Sequence, residues 1–237
     1  MIIYAMSDIH GCWDAFEHAL EKVDLTRPNN RLILLGDYID HERRHPEVYV
    51  QLQALQAAHP GQIIALKGNH DAAYLEKCRL AASAVGSGGV EGGPESRAAN
   101  PLDAATRRWI KHLPLYYETD RQIFVHAGID ETAGDLWKYG SEDWFFYEKF
   151  PAVFGPFEKD IVAGHIGTVG MCGEHRVFWD GEAHYYLDGS TEQSGMVPVL
   201  AYHTQTGAYT TFERIDTPDG PRWGREVPIT AGRTAKR

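Results

Sequence analysis

Ile2-Ile3-Tyr4-Ala5-Met6 is an apolar run that stops at Ser7-Asp8-Ile9-His10. The same event recurs down the chain. Residues 32–35 lead into Gly36-Asp37, residues 63–66 into Lys67-Gly68-Asn69-His70, residues 123–125 into His126, and residues 161–163 into Gly164-His165. Short runs rich in Ile, Leu and Val and bounded by Gly read as buried strands. Trp13, Phe16, Leu20 and Val23 fall at helical spacing after the first run, as do Val48, Leu52 and Leu55 after the second. Strand–helix alternation predicts βαβ units, a mainly parallel sheet and an α/β fold.

The pattern changes towards the C-terminus. Residues 177–179, 185–187, 197–203 and 209–212 are short strand-like runs separated by Gly, Asp and Thr, which predicts an antiparallel meander. A second sheet is therefore expected beside the first, as a β-sandwich of mixed sheets flanked by helices. Residues 81–101 are rich in Ala, Gly and Ser and too long for an ordinary connection, so an insert is expected there, either disordered or a lid. The stretch after Thr217 is rich in Pro and Gly and ends basic, which reads as a frayed end. The expected division is one domain over residues 1–215 and a tail over 216–237.

The chain has 237 residues, of which 43% are hydrophobic and 24% charged, a globular balance sufficient for one α/β domain. No stretch approaches the ~20 apolar residues that span a bilayer, which argues against a membrane protein. The first residues lack the features of a signal peptide, and the expected location is the cytoplasm. Acidic residues outnumber basic ones 33 to 23, a net charge of −10, and no Lys/Arg block appears. Affinity for the phosphates of duplex nucleic acid needs a basic face, so duplex binding is not expected. Cys12, Cys78 and Cys172 are too few and too scattered for a disulfide framework and read as free thiols.

The polar residues at the strand ends carry the chemistry. In sheets of this kind, ligands bind in the crevice beyond the carboxyl ends of the strands. Asp8, His10, Asp37, Asn69, His70, His126 and His165 would all point into it. Carboxylate, amide and imidazole groups with no thiolate suit Mn, Fe or Zn. Confining that many ionisable groups without a cation would be costly in repulsion and desolvation.

The set also resembles a known family. Asp8-Ile9-His10-Gly11, Gly36-Asp37-Tyr38-Ile39-Asp40, Gly68-Asn69-His70-Asp71, His126-Ala127-Gly128 and Gly164-His165 follow, in order, the motifs of calcineurin-like metallophosphoesterases. They look most like the phosphoprotein-phosphatase branch, which includes bacterial Ser/Thr phosphatases and symmetrical dinucleoside tetraphosphate hydrolases. Asp188-Gly189 looks like that branch's late Asp-x-Gly segment. The resemblance implies a four-layer fold and two divalent or transition metal ions. Asp8, His10 and Asp37 would hold the first ion. Asp37 would bridge to the second, completed by Asn69, His126 and His165. His70 would be the general acid, oriented by Asp40. Two ions ~3.5–4 Å apart can share a hydroxide and clamp both attacking and leaving oxygens in line.

The chain departs from the pattern at the phosphate. The branch usually places Arg directly after the second Asp of its Gly-Asp motif, and here that residue is His41. The nearest guanidiniums, Arg43 and Arg44, are the other candidate phosphate contacts. A second Arg expected after a Leu-Trp pair is replaced, because Leu136-Trp137 is followed by Lys138-Tyr139. Trp137, Tyr139, Trp144, Phe145, Phe146 and Tyr147 read either as core or as a wall that stacks on a base or aryl group. The expected activity is hydrolysis of phosphomonoesters, with phosphoserine and phosphothreonine in proteins included. The alternative is symmetrical cleavage of dinucleoside polyphosphates. A non-catalytic module on this fold would have lost ligands that this chain keeps, and a nuclease would need a basic channel that the net charge opposes. The expected partner is a phosphorylated small molecule, nucleotide or protein.

Overall fold

The computed structural model describes residues 1–39, 47–86, 102–218 and 220–232. Strands β1 (Ile2–Met6), β2 (Arg31–Leu34) and β3 (Ile63–Ala65) alternate with helices α1 (Trp13–Leu20) and α2 (Glu47–Ala58). Helices α3 (Asn69–Gly86) and α4 (Ala104–Lys111) then lead to β4 (Tyr116–Glu118), β5 (Gln122–Val125), α5 (Phe145–Glu148), β6 (Asp160–Ala163) and α6 (Thr168–Cys172). The chain continues through β7 (Phe178–Trp179), β8 (His184–Tyr186), α7 (Thr191–Ser194), β9 (Leu200–His203), β10 (Ala208–Thr217) and β11 (Gly220–Pro228).

The strands form a six-stranded sheet, β11-β10-β9-β1-β2-β3, and a five-stranded sheet, β4-β5-β6-β8-β7. Parallel pairing joins β1 to β2 and β2 to β3 in the first sheet. In the second it joins β5 to β6 and β6 to β8.

The period-two alternation of each strand sorts its side chains between two cores. From β1, Ile3 and Ala5 pack with Ile33, Leu35, Phe124, Val162, Tyr185 and Leu187 between the sheets. Tyr4 and Met6 face the other way, onto Phe16, Ala19, Val48, Tyr49, Leu52 and Ile110 of the helices. The outer face of the second sheet buries Ile123, Val125, Ile161, Ala163 and Phe178 against Trp137, Phe146 and Met171. The result is four layers, helices outside and two sheets within. Strands covered on both faces read as continuous apolar runs, which explains the signal in the sequence.

Three expectations need correction. The late strands do not make a sheet of their own. β9 extends the first sheet antiparallel to β1 and β10 and β11 continue it as an antiparallel hairpin, whereas β7 and β8 join the sheet begun by β4, β5 and β6. The stretch expected to be a frayed tail contains β11, paired with β10 from Thr217↔Gly220 to Thr210↔Pro228. Its prolines mislead because they sit near the ends of an edge strand, where the missing N–H costs no ladder bond. A Cβ at Gly224 would stand 2.6 Å from Ile215 Cδ1, so that glycine permits a close approach rather than a turn. Finally, α3 runs to Gly86, so the stretch from residue 81 begins as helix. The remainder of the expected insert, including most of residues 86–93, lies outside the described residues.

Trp223 anchors β11. Its indole is 6% exposed, packs in the core beneath the helices and donates from Nε1 to Val197 O at 2.9 Å. Trp223→Ala should therefore destabilise the protein by about 3–5 kcal/mol, lowering Tm by roughly 6–20 °C for a chain of this size. Calorimetry checks this; a shift of only a degree or two would mean that β11 is not part of the cooperative fold.

Candidate metal centre

The carboxyl ends of β1, β2 and β3 meet those of β5 and β6 at one end of the sandwich. Backbone bonds stitch the ends together: Asp8 N–H donates to Gly36 O at 3.2 Å, His10 N–H to Asp37 O at 3.0 Å, and Gly164 N–H to His126 O at 2.7 Å. Two further bonds cross between sheets. His165 N–H donates to Asp8 Oδ2 at 3.1 Å, and His126 Nδ1 lies 3.0 Å from Leu35 O.

The turns are tight and strained. Asp8, His10, Asp37 and His165 all have φ between 48° and 65°. Left-handed backbone at a non-glycine residue costs about 1–2 kcal/mol and persists only where surrounding structure enforces it. Glycines beside these residues make room for them. A Cβ at Gly68 would fall 2.1 Å from Asp37 Oδ1, and one at Gly164 would fall 2.3 Å from Asp8 Oδ2.

Asp37 lies at the centre and is 2% exposed. Its Oδ2 is 3.4 Å from His126 Nε2, 3.8 Å from His70 Nε2 and 3.9 Å from His10 Nε2. Its Oδ1 accepts the His70 N–H at 2.9 Å. Asp8 Oδ1 lies 3.6 Å from His10 Nε2. Asn69 Oδ1 completes the ring, 3.0 Å from His126 Nε2 and 3.1 Å from His165 Nδ1.

The field is strongly negative. Burial pushes the His10 imidazole down in basicity, but the Asp8 and Asp37 carboxylates, with Glu192, carry it up to about 10. His126 is raised to about 9 against its burial, chiefly by Asp37. Asp37 is held below the usual carboxylate range although burial opposes it, because His126, His10 and His70 surround it. Burial and then the Asp8 charge push Asp188 up to about 7. The negative charge that favours imidazolium would equally favour a metal cation.

All seven strand-end residues named from the sequence are brought together. Two clusters emerge, His10–Asp37–His70 and Asp37–His126–His165, each with ligand atoms within 4.8 Å of one another. His70 thus sits among potential ligands, nearer to the centre than an acid acting from the rim. Asp40, His41, Arg43 and Arg44 lie outside the described residues. The aromatic cluster divides: Trp137 and Phe146 are core, whereas Tyr139 and Trp144 are exposed. Cys12 caps α1 and packs against the helical core.

The profile of the calcineurin-like phosphoesterase family matches residues 1–193. The chain belongs to that family. It is 33% identical over 138 residues to a symmetrical bis(5'-nucleosyl)-tetraphosphatase of Delftia acidovorans, covering 54% of this chain and 45% of the relative. A protein of the same name from Nitrosococcus oceani is 27% identical over 173 residues, covering 70% and 56%. The chain therefore spans about half the length of these curated relatives. Among solved structures, a chain designated a diadenosine tetraphosphatase aligns over 94% of this chain and 95% of its own with a TM-score of 0.57 and 16% identity. A protein serine/threonine phosphatase from Saccharomyces cerevisiae aligns over 93% and 82% with a TM-score of 0.62, also at 16% identity. These two share the fold.

The donor geometry suits the metals of a calcineurin-like phosphoesterase. Ligand atoms bonded at about 2.0–2.2 Å to one ion stand roughly 3–3.5 Å apart. The spacings of 3.4–3.9 Å around Asp37 Oδ2 are mostly too long for hydrogen bonds and close to that value. His10 Nδ1 is buried with no hydrogen bond, and Nε2 is the nitrogen that faces the Asp8 and Asp37 carboxylates.

Asp71 closes the Gly68-Asn69-His70-Asp71 motif. It is fully buried and binds four donors. Oδ2 accepts from Asp37 N and Gly68 N, each at 2.9 Å, and Oδ1 from Tyr38 N at 3.2 Å and Tyr49 Oη at 2.9 Å. The carboxylate welds the loop after β2 to the loop after β3. Burial and the adjacent Asp37 push it up to about 7, while the donors favour its ionised form. An acid in the first turn of α3 was the available signal. Thr191 Oγ1, donating to Asp8 O at 2.7 Å, and Glu192 Oε1, 3.6 Å from His10 Nδ1, were also missed.

In Asp71→Asn the amide NH₂ would face two donors that it cannot satisfy. The expected cost is about 2–4 kcal/mol, with Tyr49→Phe costing only about 1–1.5 kcal/mol. Denaturant midpoints check the order. Equal, small effects would mean that Asp71 does not hold the two loops together.

Proposed function

We propose that this chain is a metal-dependent hydrolase of phosphoanhydrides, and that its substrates are dinucleoside polyphosphates. The observation that supports it is Asp37, a buried carboxylate common to both donor clusters. In this reading Asp8, His10 and Asp37 hold one ion, and Asp37, Asn69, His126 and His165 hold the other. Bound there, divalent ions would supply Lewis acidity that makes water a nucleophile near neutral pH and offsets phosphate charge.

The choice of substrate rests on the relatives, which are named for symmetrical cleavage of bis(5'-nucleosyl)-tetraphosphates. That favours the alternative raised from the sequence over the phosphomonoester reading. The serine/threonine phosphatase neighbour shares the fold and adds nothing about substrate.

The protein's own groups divide the work. Asp8 and Asp37 place negative charge where cations must sit, and Asn69 contributes a neutral oxygen. His70 gives its proton to the departing phosphate oxygen. The bond from its backbone N–H to Asp37 Oδ1 fixes the start of α3, from which the ring projects. Asp40 would orient His70, and His41, Arg43 or Arg44 would contact the phosphates.

Two experiments test this reading. Purified protein should hold up to two transition-metal ions by elemental analysis, and Asp37→Ala should lose both the ions and turnover. Full activity without metal would end the proposal. A panel of diadenosine tetraphosphate, phosphopeptides and alkyl and aryl phosphomonoesters, compared by kcat/KM with Mn²⁺, should favour the tetraphosphate. A phosphopeptide at the top would restore the phosphatase reading.

A third test concerns His70. His70→Asn should lower kcat by ~10²–10⁴ for an alkyl phosphomonoester while metal content persists, since positioned proton transfer is worth about that much. The loss should be smaller for the tetraphosphate, whose leaving phosphate has a pKa of about 6 and scarcely needs a proton. Equal losses across leaving groups, or loss of metal, would make His70 a ligand instead.

A further inference from the structure

Helix α3 does more than present Asn69 and His70. Past its first turn it faces α4, and the two helices line an open cavity of about 900 Å³. That lies within the ~300–1,000 Å³ usual for small-molecule sites. Its described lining is basic: Lys67, Arg79, Arg107, Arg108 and Lys111 against Glu76. Glu76 is bound to Arg79 at 2.7 Å, which cancels one of the five charges. Such a concentration stands out on a chain of net charge −10. Arg108 and Lys111 are exposed and have no ion pair among the described residues.

One residue of the lining adjoins the metal-centre motif in the chain. Lys67 directly precedes Gly68-Asn69-His70, and its Nζ reaches Lys111 O at 3.0 Å, so the side chain points along the groove towards α4. Arg79 stands nine residues beyond His70 on the same helix, about 14 Å further along at 1.5 Å per residue. The walls are not only charged. Leu75 and the half-buried ring of Tyr147 also line the space. Tyr147 belongs to the aromatic cluster noted in the sequence.

We propose that this cavity binds a nucleoside diphosphate, the half of the substrate that departs when the polyphosphate chain is cut. Lys67, Arg108 and Lys111 engage the phosphates, and Tyr147 with Leu75 receives the base. Cations alone would serve any phosphate; the apolar wall beside them is what favours a nucleotide over a phosphopeptide. The assignment rests on the reading of the chain as a dinucleoside polyphosphate hydrolase.

The test is calorimetric titration of the full chain with ADP, as purified and again after chelation. ADP should still bind after chelation, because the cavity is separate from the metal ligands. The Arg108→Ala/Lys111→Ala double variant should weaken that binding roughly fivefold. Tyr147→Leu should weaken ADP while leaving inorganic diphosphate unaffected. An ADP affinity lost on chelation, or the same in the double variant, overturns the cavity assignment. Diphosphate binding as tightly as ADP overturns the base contact. A phosphoserine peptide that displaces ADP, and is itself weakened by the double variant, assigns the cavity to peptide instead. Failure of the metal-loaded protein to split diadenosine tetraphosphate overturns the hydrolase reading, and with it the role as a substrate half, independently of how ADP binds.

Discussion

A carboxylate that is almost completely buried and ringed by imidazoles is the constraint around which this protein is built. Asp37 cannot be hydrated where it lies, so its charge must be balanced by groups from elsewhere in the chain. His126 comes from the second sheet, His10 from the loop after β1, and His70 from the first turn of α3. Each is delivered by a different strand end, and His126 is in place only when the second sheet is stacked in register on the first. The cost of burying Asp37 is thereby coupled to the packing of the whole sandwich.

The apparatus that holds Asp37 is itself polar. Asp71 binds the Asp37 amide and the Gly68 amide with the same oxygen, so the two loops move as one. Four residues of the centre are held in left-handed backbone, and this strain is sustained by bonds such as Thr191 Oγ1 to Asp8 O. Rigid strand ends with a second ring of hydrogen bonds are what a multi-ligand metal site needs, because ligand positions must be right to within about half an ångström.

Much of this was legible in the sequence, for a physical reason. A strand buried on both faces must be apolar throughout, and the polar residue that ends it is conspicuous. Asp8, Asp37, Asn69, His126 and His165 were found in that way, together with the α/β class and the helices over α1 and α2. What was not legible depends on partners far away in the chain. Nothing near Leu200 announces that it pairs with Ala5. Pro221, Gly224 and Pro228 look like punctuation until β10 lies alongside them. Asp71 gains its meaning from amides 33 and 34 residues earlier. The Ala-rich start of the stretch from residue 81 suits a helix as well as an insert, and composition alone could not separate the two.

The position of β1 has a consequence for how the chain is made. β1 lies inside the first sheet, with β2 on one edge and β9 on the other. The β2 edge is filled early, once residues 31–34 emerge, but the other waits for residues 200–203. Ribosomes add about 5–20 residues per second, so this largely buried strand has an open edge for roughly 10–30 s during synthesis. Unpaired apolar edges are templates for pairing with other chains. The strand that leads into Asp8 and His10 is thus open to misassembly at birth, and a nascent chain has every ligand of its centre, His165 last, before β9 arrives to close the sheet around them.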